Sequence, residues 1–106
     1  MMNNLHPIRD YIVPGKRAHL VGIGGVSMNS LGELLLSRGV PISGSDRLRT
    51  DVTARLEAMG AKITYEHKPE NVEGASLIVR TAAVHDDNPE IVRAHELGIP
   101  VMERAE

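Results

Sequence analysis

The sequence predicts an α/β fold in which five short strands alternate with helices in one doubly wound parallel sheet. Three observations predict it. A helix-glycine-strand phrase occurs three times: Arg38-Gly39-Val40-Pro41-Ile42-Ser43, Met59-Gly60-Ala61-Lys62-Ile63-Thr64 and Leu97-Gly98-Ile99-Pro100-Val101-Met102. Leu20-Val21, Leu77-Ile78-Val79 and Ile99-Pro100-Val101 are continuously apolar, as strands covered on both faces are. The 106 residues, 42% apolar and 25% charged, suit a single ordinary core.

The first strand is read at Ala18–Ile23. Met28, Leu31 and Leu35 then fall at helical spacing. Gly39 stands where a left-handed residue ends a helix, and the second strand, Val40–Ser45, follows. Thr50 and Asp51 suit an N-cap and first-turn acid, with Val52, Leu56 and Met59 as the apolar face behind them. Gly60 leads to the third strand, Lys62–Tyr65. Glu66–Ser76 holds Pro69 and Gly74 and is expected to be a loop with at most one helical turn. The fourth strand is Leu77–Thr81. Asn88-Pro89-Glu90 places an N-cap before a proline at N1, and Ile91, Ala94 and Leu97 give the next helix its apolar face. The last strand is Ile99–Met102. Right-handed crossovers then give the order 3-2-1-4-5. Residues 1–16 are expected to form an arm. Residues 17–106 are expected to form one domain, the N-terminal piece of a larger chain.

Composition narrows the function. No apolar run exceeds three residues, so neither a membrane span nor a secretory leader is expected. Zero cysteines exclude disulfides and thiolate metal sites and are compatible with the cytoplasm, where the chain is expected. A net charge of −2 and only two aromatics, Tyr11 and Tyr65, offer nucleic acid neither a field nor a stacking platform.

The strongest chemical signal is Gly22-Ile23-Gly24-Gly25-Val26-Ser27-Met28, between the first strand and a helix. That context aims free helix amides and the positive dipole end at a ligand, and glycines let a diphosphate approach the backbone. The turn makes the sheet Rossmann-like, but Ser27 stands at the last glycine of G-x-G-x-x-G. Asp46 follows Gly24 by 22 residues, the spacing of an acid that accepts from a ribose. It equally suits the N–H of a base, or a cap on the next turn. Arg47 and Arg49 suit either a ribose phosphate or solvent. Thr81, Ala82 and Ala83 lie at the switch point between strands one and four, where small residues leave room for a ligand or simply pack tightly. His67 lies near the same edge and could meet a base. His6, His19, His85 and His95 show no metal-site spacing, and no metal is expected. G-x-S-x-G, H-E-x-x-H and Walker A motifs are absent, Gly15-Lys16 being followed by Arg17, so no catalytic residue is assigned.

Residues 18–28, together with Leu35-Leu36-Ser37-Arg38-Gly39, Ser43-Gly44-Ser45-Asp46, Asp87-Asn88-Pro89-Glu90 and Leu97-Gly98-Ile99-Pro100-Val101, resemble the Mur ligase family of peptidoglycan synthesis. The resemblance implies the first domain of a three-domain, cytoplasmic, ATP-dependent ligase that joins L-alanine to UDP-N-acetylmuramate. ATP and magnesium would belong to a central domain absent here, so this piece alone is expected to be inactive. Its partners would be the nucleotide sugar and the remaining ligase domains. Gly22, Gly24, Gly25, Val26, Ser27 and Met28 would face the diphosphate, and Ser45 and Asp46 the uridine. His67 would lie near the uracil, with Thr81, Ala82 and Ala83 on the opposite wall. A murein tripeptide ligase acting on the same nucleotide sugar is the near alternative. An NAD(P)(H)-sensing module and a protein-interaction domain with a vestigial turn are the others.

Overall fold

Strand pairing follows the apolar runs. The computed structural model describes Val13 and residues 15–104. Strand β1 (Ala18–Val21) is central, flanked by β2 (Ile42–Ser45) and β4 (Leu77–Arg80), with β3 (Lys62–Thr64) and β5 (Val101–Glu103) outermost. All pairings are parallel in the order β3-β2-β1-β4-β5, the order expected from the sequence. Leu20 sits opposite Gly44 on one side and Val79 on the other. Helices α1 (Val26–Ser37), α2 (Asp51–Ala58) and α3 (Pro89–Leu97) make the crossovers between sequential neighbours. The segment from β3 to β4 carries a single 3-10 turn, Pro69–Val72. The arm expected at residues 1–16 lies outside the described residues, apart from Val13, Gly15 and Lys16.

Side-chain alternation splits the core into two layers. Ala18, Leu20, Leu77 and Val79 pack with Met28, Leu31 and Leu35 of α1 and Leu56 of α2. On the other face, Val21 and Ile78 pack with Val72, Ile91 and Ala94. The period of two along β1 and β4 therefore feeds both layers from the same strands.

The repeated glycine phrase has one physical basis. Gly39, Gly60 and Gly98 have φ of 80°, 112° and 71°. After each, the next amide returns to a carbonyl in the last helical turn: Val40 to Leu35 at 3.0 Å, Ala61 to Leu56 at 3.0 Å, and Ile99 to Ala94 at 2.9 Å. This Schellman closure engages Val40 and Ile99, which the sequence assigned to strands, while Ala61 precedes the expected third strand. Strand β2 therefore begins at Ile42 rather than Val40, and β5 at Val101 rather than Ile99. Gly22, with φ 78°, likewise ends β1 before Ile23.

Two helix faces differ from the spacing argument. In α2 the buried residues are Thr53 and Leu56, while Val52 and Met59 are 37% and 41% exposed. Thr53 faces inward because it completes a capping box with Thr50. In α3 the buried face is Glu90, Ile91 and Ala94, while Leu97, expected on that face, is 42% exposed. The expected caps Thr50 and Asn88 are present, Asn88 accepting from the Glu90 amide at 2.9 Å.

Candidate functional site

The glycine turn is built by backbone bonds that converge on the end of β2. The amides of Gly22 and Ile23 both donate to the Ser45 carbonyl, at 2.8 and 3.0 Å, and Gly25 closes the turn onto Gly22 at 3.0 Å. Gly25 is the N-cap of α1 and has no side chain with which to cap it. The first intrahelical bond runs from Asn29 to Gly25, so the amides of Val26, Ser27 and Met28 are the unpaired donors of the first turn. No acidic residue occupies that turn. Helices α2 and α3, by contrast, are both capped by side chains. The Ser27 hydroxyl is buried without a partner among the described residues. The Met28 side chain points into the core and is 1% exposed, so only its backbone can meet a ligand.

Asp46 joins the turn to β2. Its Oδ2 accepts from the Gly24 amide at 2.9 Å and its Oδ1 from the Leu48 amide at 3.3 Å. A Cβ on Gly24 would lie 2.8 Å from that Oδ2 and 3.2 Å from Thr53 Cγ2. Glycine is required there by the approach of the carboxylate, whereas Gly22 carries the positive φ. Gly44 serves a similar end. A Cβ on it would fall 2.6–2.9 Å from three atoms of Ile23, so Ile23 locks the turn onto β2 by filling that space.

A cavity of about 680 Å³ opens over the carboxyl ends of the strands, lined in part by Arg47, Tyr65, His67, Ala83, His85 and Asn88. Val84, which also lines it, stands 3.8 Å from the position of a Gly22 Cβ, so cavity and turn share a border. Arg47 and Arg49 have different roles. The Arg49 guanidinium lies over the Tyr65 ring, 4.5 Å from its centroid, and Tyr65 donates to Glu57. Arg47 is exposed at the cavity wall. Among the sequence candidates, His67 and Ala83 line the cavity, and Ala82 is exposed beside Ala83. Thr81 is 4% exposed and its carbonyl closes a turn with Val84. Ser45 is 0% exposed, and its hydroxyl is held by interior groups.

Of these, His67 was a sequence candidate, but Glu90 escaped the sequence reading. Glu90 is fully buried on α3. Its Oε1 accepts from His19 Nε2 at 2.6 Å and Ser45 Oγ at 2.8 Å. Its Oε2 accepts from Asn71 Nδ2 at 2.9 Å and the Lys68 amide at 3.2 Å, with His67 Nδ1 at 3.4 Å. Burial pushes the Glu90 carboxyl upward, but the His19 hydrogen bond and charge, then the Asn71 and Ser45 bonds, outweigh it and hold the group below its usual range. His19 continues the chain to Ser43 at 2.8 Å, where Arg17 also donates. Two signals pointed to this network. One was a histidine inside a doubly covered strand; the other was an acid four residues before Ala94 on a helix's apolar face. Arg80 was also missed: it clamps the Val84 carbonyl and the Asp86 carboxylate, shaping the loop at the cavity rim.

Among the described residues, no group of three or more histidine or acidic side chains is arranged to hold a metal. No described helix is long and apolar enough to cross a membrane.

The family model described as "Mur ligase family, catalytic domain" matches residues 17–106. A UDP-N-acetylmuramate–L-alanine ligase of Caldanaerobacter subterraneus subsp. tengcongensis is 52% identical over 90 residues, covering 85% of this chain and 20% of that protein. The ligase of the same name from Acetivibrio thermocellus is 49% identical, covering 85% and 19%. The chain thus spans about a fifth of the length of these relatives. The crystal structure of the UDP-N-acetylmuramate–alanine ligase of Thermotoga maritima superposes with a TM-score of 0.79 at 39% identity, covering 83% of this chain and 20% of that one. A murein peptide ligase from Psychrobacter arcticus gives 0.75 at 26% identity, covering 82% and 18%. On the match over residues 17–106 and these identities, the chain belongs to the Mur ligase family.

Proposed function

We propose that this chain is the nucleotide-sugar-binding domain of a cytoplasmic ligase of peptidoglycan synthesis, one that joins L-alanine to UDP-N-acetylmuramate. The carrying observation is the uncapped first turn of α1. Three free amides and the partnerless Ser27 hydroxyl lie at this turn, and Val84, 3.8 Å from the position of a Gly22 Cβ, links the turn to a cavity of about 680 Å³. A diphosphate supplies the acceptors and the negative charge that such a turn favours, and the neighbouring cavity suits a nucleoside in size. In this reading the amides of Val26, Ser27 and Met28 meet the diphosphate, and Gly22, Gly24 and Gly25 shape the turn that presents them. Asp46 holds the turn in shape, and Ser45 does so from beneath. His67 and Ala83 border the uridine, and Ala82 and Thr81 form the wall behind Ala83. The identity of 48–52% to relatives named for L-alanine, against 26% to a murein peptide ligase, favours L-alanine over a tripeptide.

Such a ligase uses ATP and magnesium, and this chain's residues do not match them. Its one Gly-Lys pair, Gly15-Lys16, precedes Arg17 rather than serine or threonine. We assign ATP and magnesium to another domain and give this one the task of gripping and orienting the nucleotide sugar. Calorimetric titration with UDP-N-acetylmuramate, UDP and NADH tests the reading. Binding of both uridine ligands and not NADH is expected; binding of NADH alone would overturn it in favour of a dinucleotide sensor.

A further inference from the structure

The buried network around Glu90 has a direction that hydrogen counting reveals. An ionised carboxylate only accepts, so the single hydroxyl hydrogen of Ser45 is directed to Glu90 Oε1 at 2.8 Å. The Ser45 oxygen can then only accept from His67 Nδ1, 3.0 Å away. Glu90 Oε2 lies 3.4 Å from the same nitrogen and reinforces the assignment. His67 is therefore an Nδ1–H donor toward the interior. In the neutral imidazole the other nitrogen, Nε2, carries only a lone pair. Nε2 has no partner among the described residues and is not among the buried partnerless atoms, and the ring lines the cavity with its side chain 17% exposed.

We propose that Glu90 is a positioning and specificity-determining residue: through Ser45 it fixes the His67 tautomer, so the cavity presents a bare Nε2 acceptor that selects a base edge donating an N–H. Uracil offers such a donor at N3, where cytosine offers an acceptor. The specificity half of this inference rests on the nucleotide reading above; the tautomer half stands on the network alone. The charged and titratable side chains facing Glu90 are His19 from β1 and His67 from the segment after β3, with Arg17 one bond further through Ser43. Asn71 and the Lys68 amide complete the shell and are neutral donors.

The test is performed on the ¹⁵N-labelled chain at about pH 8, above the ordinary histidine range. Long-range ¹H–¹⁵N spectra should show His67 with a protonated Nδ1 and a bare Nε2, and adding UDP should move the Nε2 resonance. UDP should bind roughly tenfold more tightly than CDP, the value of one matched against one mismatched hydrogen bond. In Glu90→Gln an amide N–H₂ faces Ser45 or His67, so the population should move toward the Nε2–H tautomer and the UDP preference should fall toward unity. Circular dichroism verifies the variant's fold, and if Glu90→Gln does not fold the wild-type spectra still decide. A wild-type His67 found as the Nε2–H tautomer, or a tautomer and UDP preference unchanged in folded Glu90→Gln, would overturn the proposal. UDP binding that leaves Nε2 unmoved would also overturn it. If the wild type binds neither nucleotide while its tautomer still follows Glu90, positioning is supported and the nucleotide reading falls instead.

Discussion

Asp46 and Glu90 are two acids with opposite surroundings, and both act by holding backbone or side chains in place. Asp46→Ala leaves the Gly24 amide without its acceptor, which should cost about 1–3 kcal/mol. Urea unfolding should show this, and calorimetry should show weaker UDP binding in the same variant; unchanged affinity would confine Asp46 to turn structure. Gly24→Ala should do similar damage, because its Cβ would meet the Asp46 carboxylate at 2.8 Å. Glu90 contributes to acid stability. Its carboxyl is held below the usual value of 4.5, so the stability it contributes is fully present above that pH. It disappears as pH falls through the lowered folded value. Urea midpoints from about pH 6 down to about pH 3 should therefore converge for wild type and Glu90→Gln, and parallel curves would contradict this. Asp46 was visible in the sequence by its spacing from the glycine turn. Glu90 was not, because its partners lie from 19 to 71 residues away along the chain, and its local setting after Asn88-Pro89 already accounts for an acid as a helix-start residue.

The same contrast between local and distant causes governs the elements. The three helix ends were legible because a Schellman closure is decided within six residues by one left-handed glycine. The starts of β2 and β5 were displaced by two residues for the same reason, since the closure engages the amide that a strand would use, whereas β3 begins at Lys62 as expected. Gly44 is the opposite case. Nothing in Ser43-Gly44-Ser45 announces that Ile23 occupies the space of its Cβ. Gly44→Ala should cost about 1–3 kcal/mol by overpacking and should shift the amide resonances of Gly22–Gly25, since Ile23 belongs to that turn. A thermally neutral Gly44→Ala with an unmoved turn would contradict the packing described. Asn88→Ala removes the cap of α3 and should cost about 1 kcal/mol, with loss of order at the cavity rim visible in hydrogen exchange.

For the whole molecule, strand order and crossover hand place the carboxyl ends of β1 and β4 side by side, and the glycine turn, Ala83 and one border of the cavity lie there. This convergence was legible because parallel α/β topology dictates where such a crevice forms. The chemistry within it was only half legible, since the direction of the hydrogen bonds beneath His67 depends on side chains from four separate segments. With no ATP-cradling loop, the pure chain should turn over no ATP; measurable turnover would contradict its assignment as a substrate-holding piece. The proposed role is for the uncapped start of α1 to grip a diphosphate beside the cavity. Its most direct test is a ¹H–¹⁵N titration of the labelled chain with UDP. The largest shifts are expected at the amides of Val26, Ser27 and Met28, with smaller ones at His67 and Ala83. UDP binding that leaves those three amides unmoved would contradict that role and place the diphosphate elsewhere on the domain.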